Sequence, residues 1–287
     1  MKLGIHTIAW GESREFSAIL EDVRAAGFAG IELFQHPDHL ELAGPGNWAE
    51  RLDRSLINEA RGRAPISLVG VCFGAFEERR RFVNDLAKAR EKAKKDSAEA
   101  KKDSAEAKDS AEVDASAALL DDPLPYLYTD EWGDEEKAAV EEGLRVAVHP
   151  HMFQQIQTMQ EVDEILDKHS SCLFLPDAAH LYIAGNDPAE SIYKVLKSTE
   201  HREKKFCRIA AVHLKDWNAN AGRSYQFYAR GLCALGKGEV PLERVIEKLV
   251  IGRYDGWLIV EQDRARNPRQ TAQEEMDWLK AKLPSRK

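Results

Sequence analysis

The chain has 287 residues, of which 43% are hydrophobic and 31% charged, and its formal net charge is −8. That is enough apolar sequence for one large domain with a substantial core. The acidic balance argues against nucleic acid or an anionic membrane as a partner. No apolar run is long enough to span a bilayer and no signal peptide precedes the first strand, so a cytoplasmic protein is expected. Cys72, Cys172, Cys207 and Cys233 show no CxxC pairing and read as small apolar side chains.

Lys2 to Ile8 reads as strand one, with His6 inside it. Ser13 is placed to cap a helix in which Phe16, Ile19, Leu20 and Val23 repeat at helical spacing and which Gly27 closes. Gly30 to Phe34 is strand two and carries Glu32 in an otherwise apolar run; Asn47 to Arg61 is a second helix. Ile66 to Phe73 is strand three, and Glu77 starts the next helix. Short apolar strands alternating with amphipathic helices point to parallel βα units.

From residue 87 to 118 the chain becomes Ala, Lys, Glu, Asp and Ser, with Lys95-Asp-Ser-Ala-Glu-Ala100 nearly repeated at Lys102-Asp-Ser-Ala-Glu-Ala107. No large apolar residue recurs there, so no coiled-coil seam can form. A solvated helix or a disordered tract, inserted within the domain, is expected. Strand order resumes at Pro125 to Tyr128, followed by a short helix near Glu135 to Glu142. Leu144 to Val148, Cys172 to Leu175, Ile209 to Val212 and Gly256 to Val260 are the remaining strands, with helices Met159–Lys168, Pro188–Leu196, Leu242–Leu249 and Gln273–Leu283. Eight such units make a single (β/α)8 TIM barrel spanning 1–287.

Four of these strands end in residues wasted on packing: His149, Asp177, His213 and Glu261. Strand C-termini converge on one face of a β/α barrel, so the four would become neighbours. Two imidazoles and two carboxylates suit one divalent ion, Mn, Co, Fe or Zn, better than Ca. Lys215 would either meet a substrate oxygen or be a solvated rim charge. Asp216 would orient His213, cap a helix or pair with Lys215. Glu32 and His6 point into the barrel mouth or into an internal polar network, with the mouth preferred for Glu32 as a substrate contact. Trp10, Trp132 and Trp217 would be aromatic walls of a site or ordinary core residues, Trp217 being the substrate-binding choice. Gly236-Lys-Gly238 lacks the setting of a phosphate loop and reads as a turn, from which Lys237 could reach a substrate oxygen.

The motifs His149-Pro-His151, Asp177-Ala-Ala-His180, Val212-His-Leu-Lys-Asp216, Leu235-Gly-Lys-Gly-Glu-Val240 and Tyr254-Asp-Gly-Trp-Leu-Ile-Val-Glu261, with Gly27-Phe-Ala-Gly-Ile-Glu-Leu33, resemble the xylose-isomerase-like TIM-barrel superfamily of sugar isomerases, epimerases and inosose dehydratases. The resemblance implies that Asp177, His213 and Glu261 bind metal, that His180 contacts substrate hydroxyls, and that Gln155 stands where epimerases place a substrate-contacting acid. The departure is His149, where sugar epimerases carry a glutamate; the His-Pro-His form resembles the inosose dehydratase branch. The implied activity is metal-dependent isomerisation, epimerisation or dehydration of a sugar, ketose or keto-cyclitol through an enediolate, with Glu261, His151 or His180 moving the proton and Lys215 assisting. A non-catalytic sugar-binding barrel and a metal-dependent hydrolase of the endonuclease type are the alternatives, and a homo-oligomer is compatible with the sequence.

Overall fold

The computed structural model describes residues 1–11, 15–36, 39–42, 45–60, 63–103, 119–200, 207–222, 225–263 and 265–284. Seven parallel strands run in sequence: β1 (Lys2–His6), β2 (Gly30–Leu33), β3 (Ser67–Val71), β4 (Tyr126–Thr129), β5 (Val146–Val148), β6 (Leu173–Phe174) and β7 (Val212–Leu214). A hairpin, β8 (Asp216–Trp217) with β9 (Leu232–Cys233), interrupts before the eighth barrel strand, β10 (Trp257–Val260). The sheet order is β6-β5-β4-β3-β2-β1-β10-β7. Its two ends meet through bridges Phe174–Ile209 and Asp177–His213, with Ala210 N–H donating to Phe174 O at 2.9 Å and His213 N–H to Pro176 O at 2.9 Å. That closes the (β/α)8 barrel expected from the sequence. Arg208 staples the closing seam from outside, donating to the carbonyls of Leu166, His169 and Cys172 at 2.8–3.2 Å.

Helical positions behave as their periodicity dictates. Phe16, Ile19, Leu20 and Val23 are buried on the inner face of Phe16–Ala26, and Gly27 (φ 97°) ends that helix by returning its N–H to Val23 O. Ser13 lies outside the described residues. Asn47 caps Trp48–Glu59 by accepting from Glu50 N–H at 2.9 Å; the expected last residue, Arg61, is also outside them. Thr158 and Glu161 form a reciprocal capping box at Met159–Lys168. The helix from Phe76 continues to Asp103, so the first part of the charged tract is helical, as good intrinsic helix formers allow. Residues 104–118 are outside the described set.

Apolar residues segregate into two clusters. The larger fills the space between strands and helices. The smaller comprises Val69, Tyr126, Ala147, Leu173, Leu175, Ala210, Ala211 and Ile259. Strand side chains alternate between faces. Stepping by two from the small cluster therefore leads from Ala147 to His149, from Leu175 to Asp177, from Ala211 to His213 and Lys215, and from Ile259 to Glu261. The same alternation that packs the barrel delivers polar residues to its C-terminal mouth.

Candidate metal centre and active site

His149, Asp177 and His213 are each at most 1% exposed and Glu261 is 7% exposed. One ligand atom from each of the first three falls within 4.8 Å of the others. His213 Nδ1 lies 3.9 Å from Asp177 Oδ2 and 2.8 Å from Glu261 Oε2. None of these three atoms has a hydrogen-bond partner, although His213 Nδ1 and Glu261 Oε2 stand at ion-pair distance. Orphaned buried polar atoms are costly, and three facing one another fit the donor set of a divalent ion. His149 completes it. Its Nδ1 meets the Leu175 carbonyl at 3.1 Å and so carries the proton, leaving Nε2 as the atom with a free lone pair. Burial, then the neighbouring His213 and His151, hold His149 well below the usual histidine range, so it is neutral, as a ligand must be.

The charges around this set are arranged in pairs. Lys215 is 2% exposed, with Nζ 2.6 Å from Glu261 Oε1 and 3.2 Å from Asp263 Oδ1. It is not a solvated rim charge. Burial opposes its ammonium, yet Glu261, Asp263 and Asp177 hold it well above its ordinary value. Burial would raise Glu261, but Lys215 foremost holds it well below the carboxylate range. Burial lifts Asp177 to about 6. Burial works against the His213 imidazolium, but Glu32 and Glu261 lift it to about 10.

Two further histidines stand above the set, their rings 4.0 Å apart. His151 Nδ1 lies 2.8 Å from Met152 O and therefore bears the proton, so Nε2 is a lone pair. His180 has the opposite tautomer: its Nδ1 accepts from Met152 N–H at 3.4 Å, so Nε2 carries the proton, and that buried atom has no partner. Burial, then Lys215, lower both histidines. Asp177 contributes twice, since its Oδ1 caps the short helix Ala178–Ile183 by accepting from His180 N–H at 2.8 Å. Tyr228 flanks His180 (5.9 Å) and His151 (6.4 Å) and contacts Phe153 (5.1 Å), while Tyr128 sets its ring edge-on to His149 at 4.3 Å.

Several sequence expectations do not survive. Glu32 is fully buried, with Oε2 accepting from Tyr126 OH and meeting His213 Nε2, both at 2.7 Å; it belongs to an internal network, not to the open mouth. Asp216 does not orient His213 or pair with Lys215. It accepts from the backbone N–H groups of Trp217, Gly236, Gly238 and Val240 at 2.8–3.2 Å, gathering the Gly236-Lys-Gly238 turn around its carboxylate. Gln155 is exposed and its Oε1 accepts from Trp132 N–H at 2.6 Å, beside a groove lined by Glu131 and Trp132 rather than in the buried cluster. Trp217 donates Nε1–H to Tyr228 O at 2.9 Å and packs on the core, so its indole supports Tyr228 instead of forming the wall. Trp10 is 5% exposed and donates to Asp22; the Trp132 ring lies tilted against His169 with centroids 5.0 Å apart.

His6, Glu32 and Cys72 form a second group of ligand-type atoms, but its hydrogen bonds read differently. Ile8 N–H points at His6 Nδ1 (3.2 Å), so Nε2 bears the proton and faces Cys72 Sγ at 3.0 Å; the thiol in turn faces Leu33 O at 3.5 Å. Burial pushes the Cys72 thiol well above its usual value, so it stays neutral. Tyr126, Tyr128, Cys72, Asp263 and Tyr228 were not anticipated. For Tyr126 and Tyr128 the two-residue spacing on β4 was the available signal.

No helix among the described residues is long and apolar enough to cross a membrane. A family model described as xylose isomerase-like TIM barrel matches residues 127–282. An inosose dehydratase of Clostridium tetani is 24% identical over 98% of this chain and 97% of its own length. One from Geobacillus thermodenitrificans is 26% identical over 92% and 90%. Among solved structures, the IolI protein with a bound zinc atom superposes with a TM-score of 0.61 at 14% identity, each chain fully covered, a likeness of fold. With the family model spanning more than half of its length, the chain belongs to the xylose isomerase-like TIM-barrel family.

Proposed function

We propose that this chain is a divalent-metal-dependent dehydratase of a keto-cyclitol or related keto-sugar, acting by removal of a proton beside a carbonyl and loss of the hydroxyl beyond it. The observation that carries this reading is the set of orphaned atoms, Asp177 Oδ2, His213 Nδ1 and Glu261 Oε2, facing one another at the barrel mouth with His149 beside them. His149, Asp177, His213 and Glu261 would hold the ion, Mn, Co, Fe or Zn, which would supply Lewis-acid polarisation of a carbonyl and stabilisation of developing negative charge. The names of the near full-length relatives support dehydration over isomerisation.

The protein's own residues divide the remaining work. Glu261 is a poor base: Lys215 occupies Oε1, Oε2 faces His213, and the carboxyl is held far below neutrality. His151 is better suited, being neutral, half-buried and carrying its Nε2 lone pair outward from the Met152 bond. It would take the proton from carbon and, as imidazolium, return it to the departing hydroxyl, which leaves as water. His180 Nε2–H would donate to a substrate hydroxyl, and the Tyr228 ring would close that side. Without a glutamate at His149, a second base for the opposite face is missing, which weighs against two-base epimerisation.

The test is a panel of inososes and ketoses incubated with metal-loaded protein in deuterated water. Dehydration with α-carbon exchange, both lost in His151→Gln with metal still bound, is the expected result. Metal uptake with neither exchange nor turnover on any panel member would leave a sugar-binding barrel without catalysis.

A further inference from the structure

We infer that Glu32 is a positioning residue for this centre: its carboxylate takes the His213 Nε2–H and so fixes Nδ1 as the atom presented to the ion. The inference rests on the metal reading of His149, Asp177, His213 and Glu261. It starts from an anomaly, a glutamate with no exposed surface in the strand Gly30–Leu33. Burying a carboxylate is expensive unless each charge finds a partner.

Three features of the chain converge on that partner. The β2–β3 register shifts between Ile31 and Glu32, and such an irregularity re-aims the side chain that follows. Gly70, opposite Glu32 in β3, leaves its Cβ space to the Tyr126 ring, with which any side chain there would collide. The Tyr126 hydroxyl then reaches Glu32 Oε2 at 2.7 Å, beside His213 Nε2 at 2.7 Å. The carboxylate is thus pinned before His213 is counted.

The consequence lies at the other end of the imidazole. With Nε2–H committed to Glu32, Nδ1 is the nitrogen that can give up its proton to an ion, and it faces Asp177 Oδ2 and Glu261 Oε2. A carboxylate behind a ligating histidine sets its tautomer and orientation and raises its basicity. Two other roles for Glu32 conflict with the geometry. A substrate contact needs access, and Glu32 has none. A shared ion with His6 and Cys72 needs the His6 Nε2 lone pair, but Ile8 N–H at Nδ1 keeps the proton on Nε2.

The experiment is a competitive Co²⁺ titration of metal-free wild type, Glu32→Gln, Tyr126→Phe and His213→Ala, each checked for fold by circular dichroism. Wild type should take one equivalent that His213→Ala loses, Glu32→Gln should bind about 10–100-fold more weakly, and Tyr126→Phe, which removes one group that pins the carboxylate, should fall between wild type and Glu32→Gln. Because Glu32→Gln can fail to fold, histidine nitrogen NMR of cadmium-loaded wild type gives an independent reading. Metal coupling to His213 Nδ1 with the proton on Nε2 is expected. Wild-type affinity in a folded Glu32→Gln, or coupling at Nε2, overturns the role of Glu32 while leaving the metal centre standing. A wild type that takes up no Co²⁺ overturns the metal reading and this inference together.

Discussion

The two halves of the barrel mouth carry similar residues and put them to different uses. On the β5–β7 and β10 side, His149, Asp177, His213 and Glu261 face one another with three polar atoms unpartnered. On the β1–β4 side, His6, Cys72, Glu32 and Tyr126 are strung into hydrogen bonds, and one buried atom, Glu32 Oε1, is left without such a partner. Residue type and proximity group both sets as ion-binding candidates. The difference is in where the protons are. A histidine whose outer nitrogen is held by a carbonyl or carboxylate turns its inner nitrogen to the ion, as His149 and His213 do. A histidine whose outer nitrogen receives a backbone N–H, as His6 does, offers only a proton.

The largest expected effect breaks the first half outright. His213→Ala combined with Glu261→Ala should abolish metal uptake, read by elemental analysis of the folded protein; retention of an equivalent would move the ion elsewhere. Next comes Lys215→Met, which leaves Glu261 and Asp263 without their buried cation. A loss of about 3–5 kcal/mol in urea unfolding is expected, and a change below 1 kcal/mol would show that water already serves these carboxylates.

Glu275 offers a pH test outside both halves. It is 1% exposed and accepts from Leu235 N–H at 3.1 Å, and burial lifts it from 4.5 to about 7. The folded state therefore keeps this proton longer than the unfolded state, so the group lowers stability progressively as pH rises from 4.5 to about 7. Glu275→Gln should be more stable than wild type above pH 7, by a few kcal/mol, with the advantage gone below pH 4.5; a pH-independent difference in chemical denaturation would contradict this. Cys72→Ala sharpens the comparison most directly. It should cost about 1–2 kcal/mol for two thiol hydrogen bonds and leave metal stoichiometry unchanged, and a lost equivalent would make the second half an ion site after all. The smallest effect is expected from deleting Lys94 to Glu112: Lys94 is exposed and pairs with exposed Asp121, so metal content should be that of the full chain.

The barrel was legible because its eight strands and its longer helices advertise themselves locally. Tyr126–Thr129 gave the faintest signal, a mostly buried four-residue strand with no polar alternation. The four ligand candidates were legible for the same reason, each ending an apolar run. What escaped depended on partners far away. Nothing near Glu32 reveals that its contacts are Tyr126 and His213, 94 and 181 residues distant. Asp216 looked like a neighbour of the histidine three positions before it, yet alternation and the hairpin turned it to the Gly236–Val240 backbone. The helix Ala178–Ile183, six residues long, was too short to show a period.

The barrel closes between β6 and β7, where pairing thins to the bridges Phe174–Ile209 and Asp177–His213. The second bridge joins two of the candidate ligands. Anything drawn to both side chains is therefore a clasp across the weakest joint of the ring, and the work of holding the cylinder shut is shared between backbone and cargo. Opening of the joint should become rarer as the clasp fills, by the mass-action factor that governs any ligand of the closed form. Slower amide exchange at Ala210 and His213, whose N–H groups span the joint, would register it.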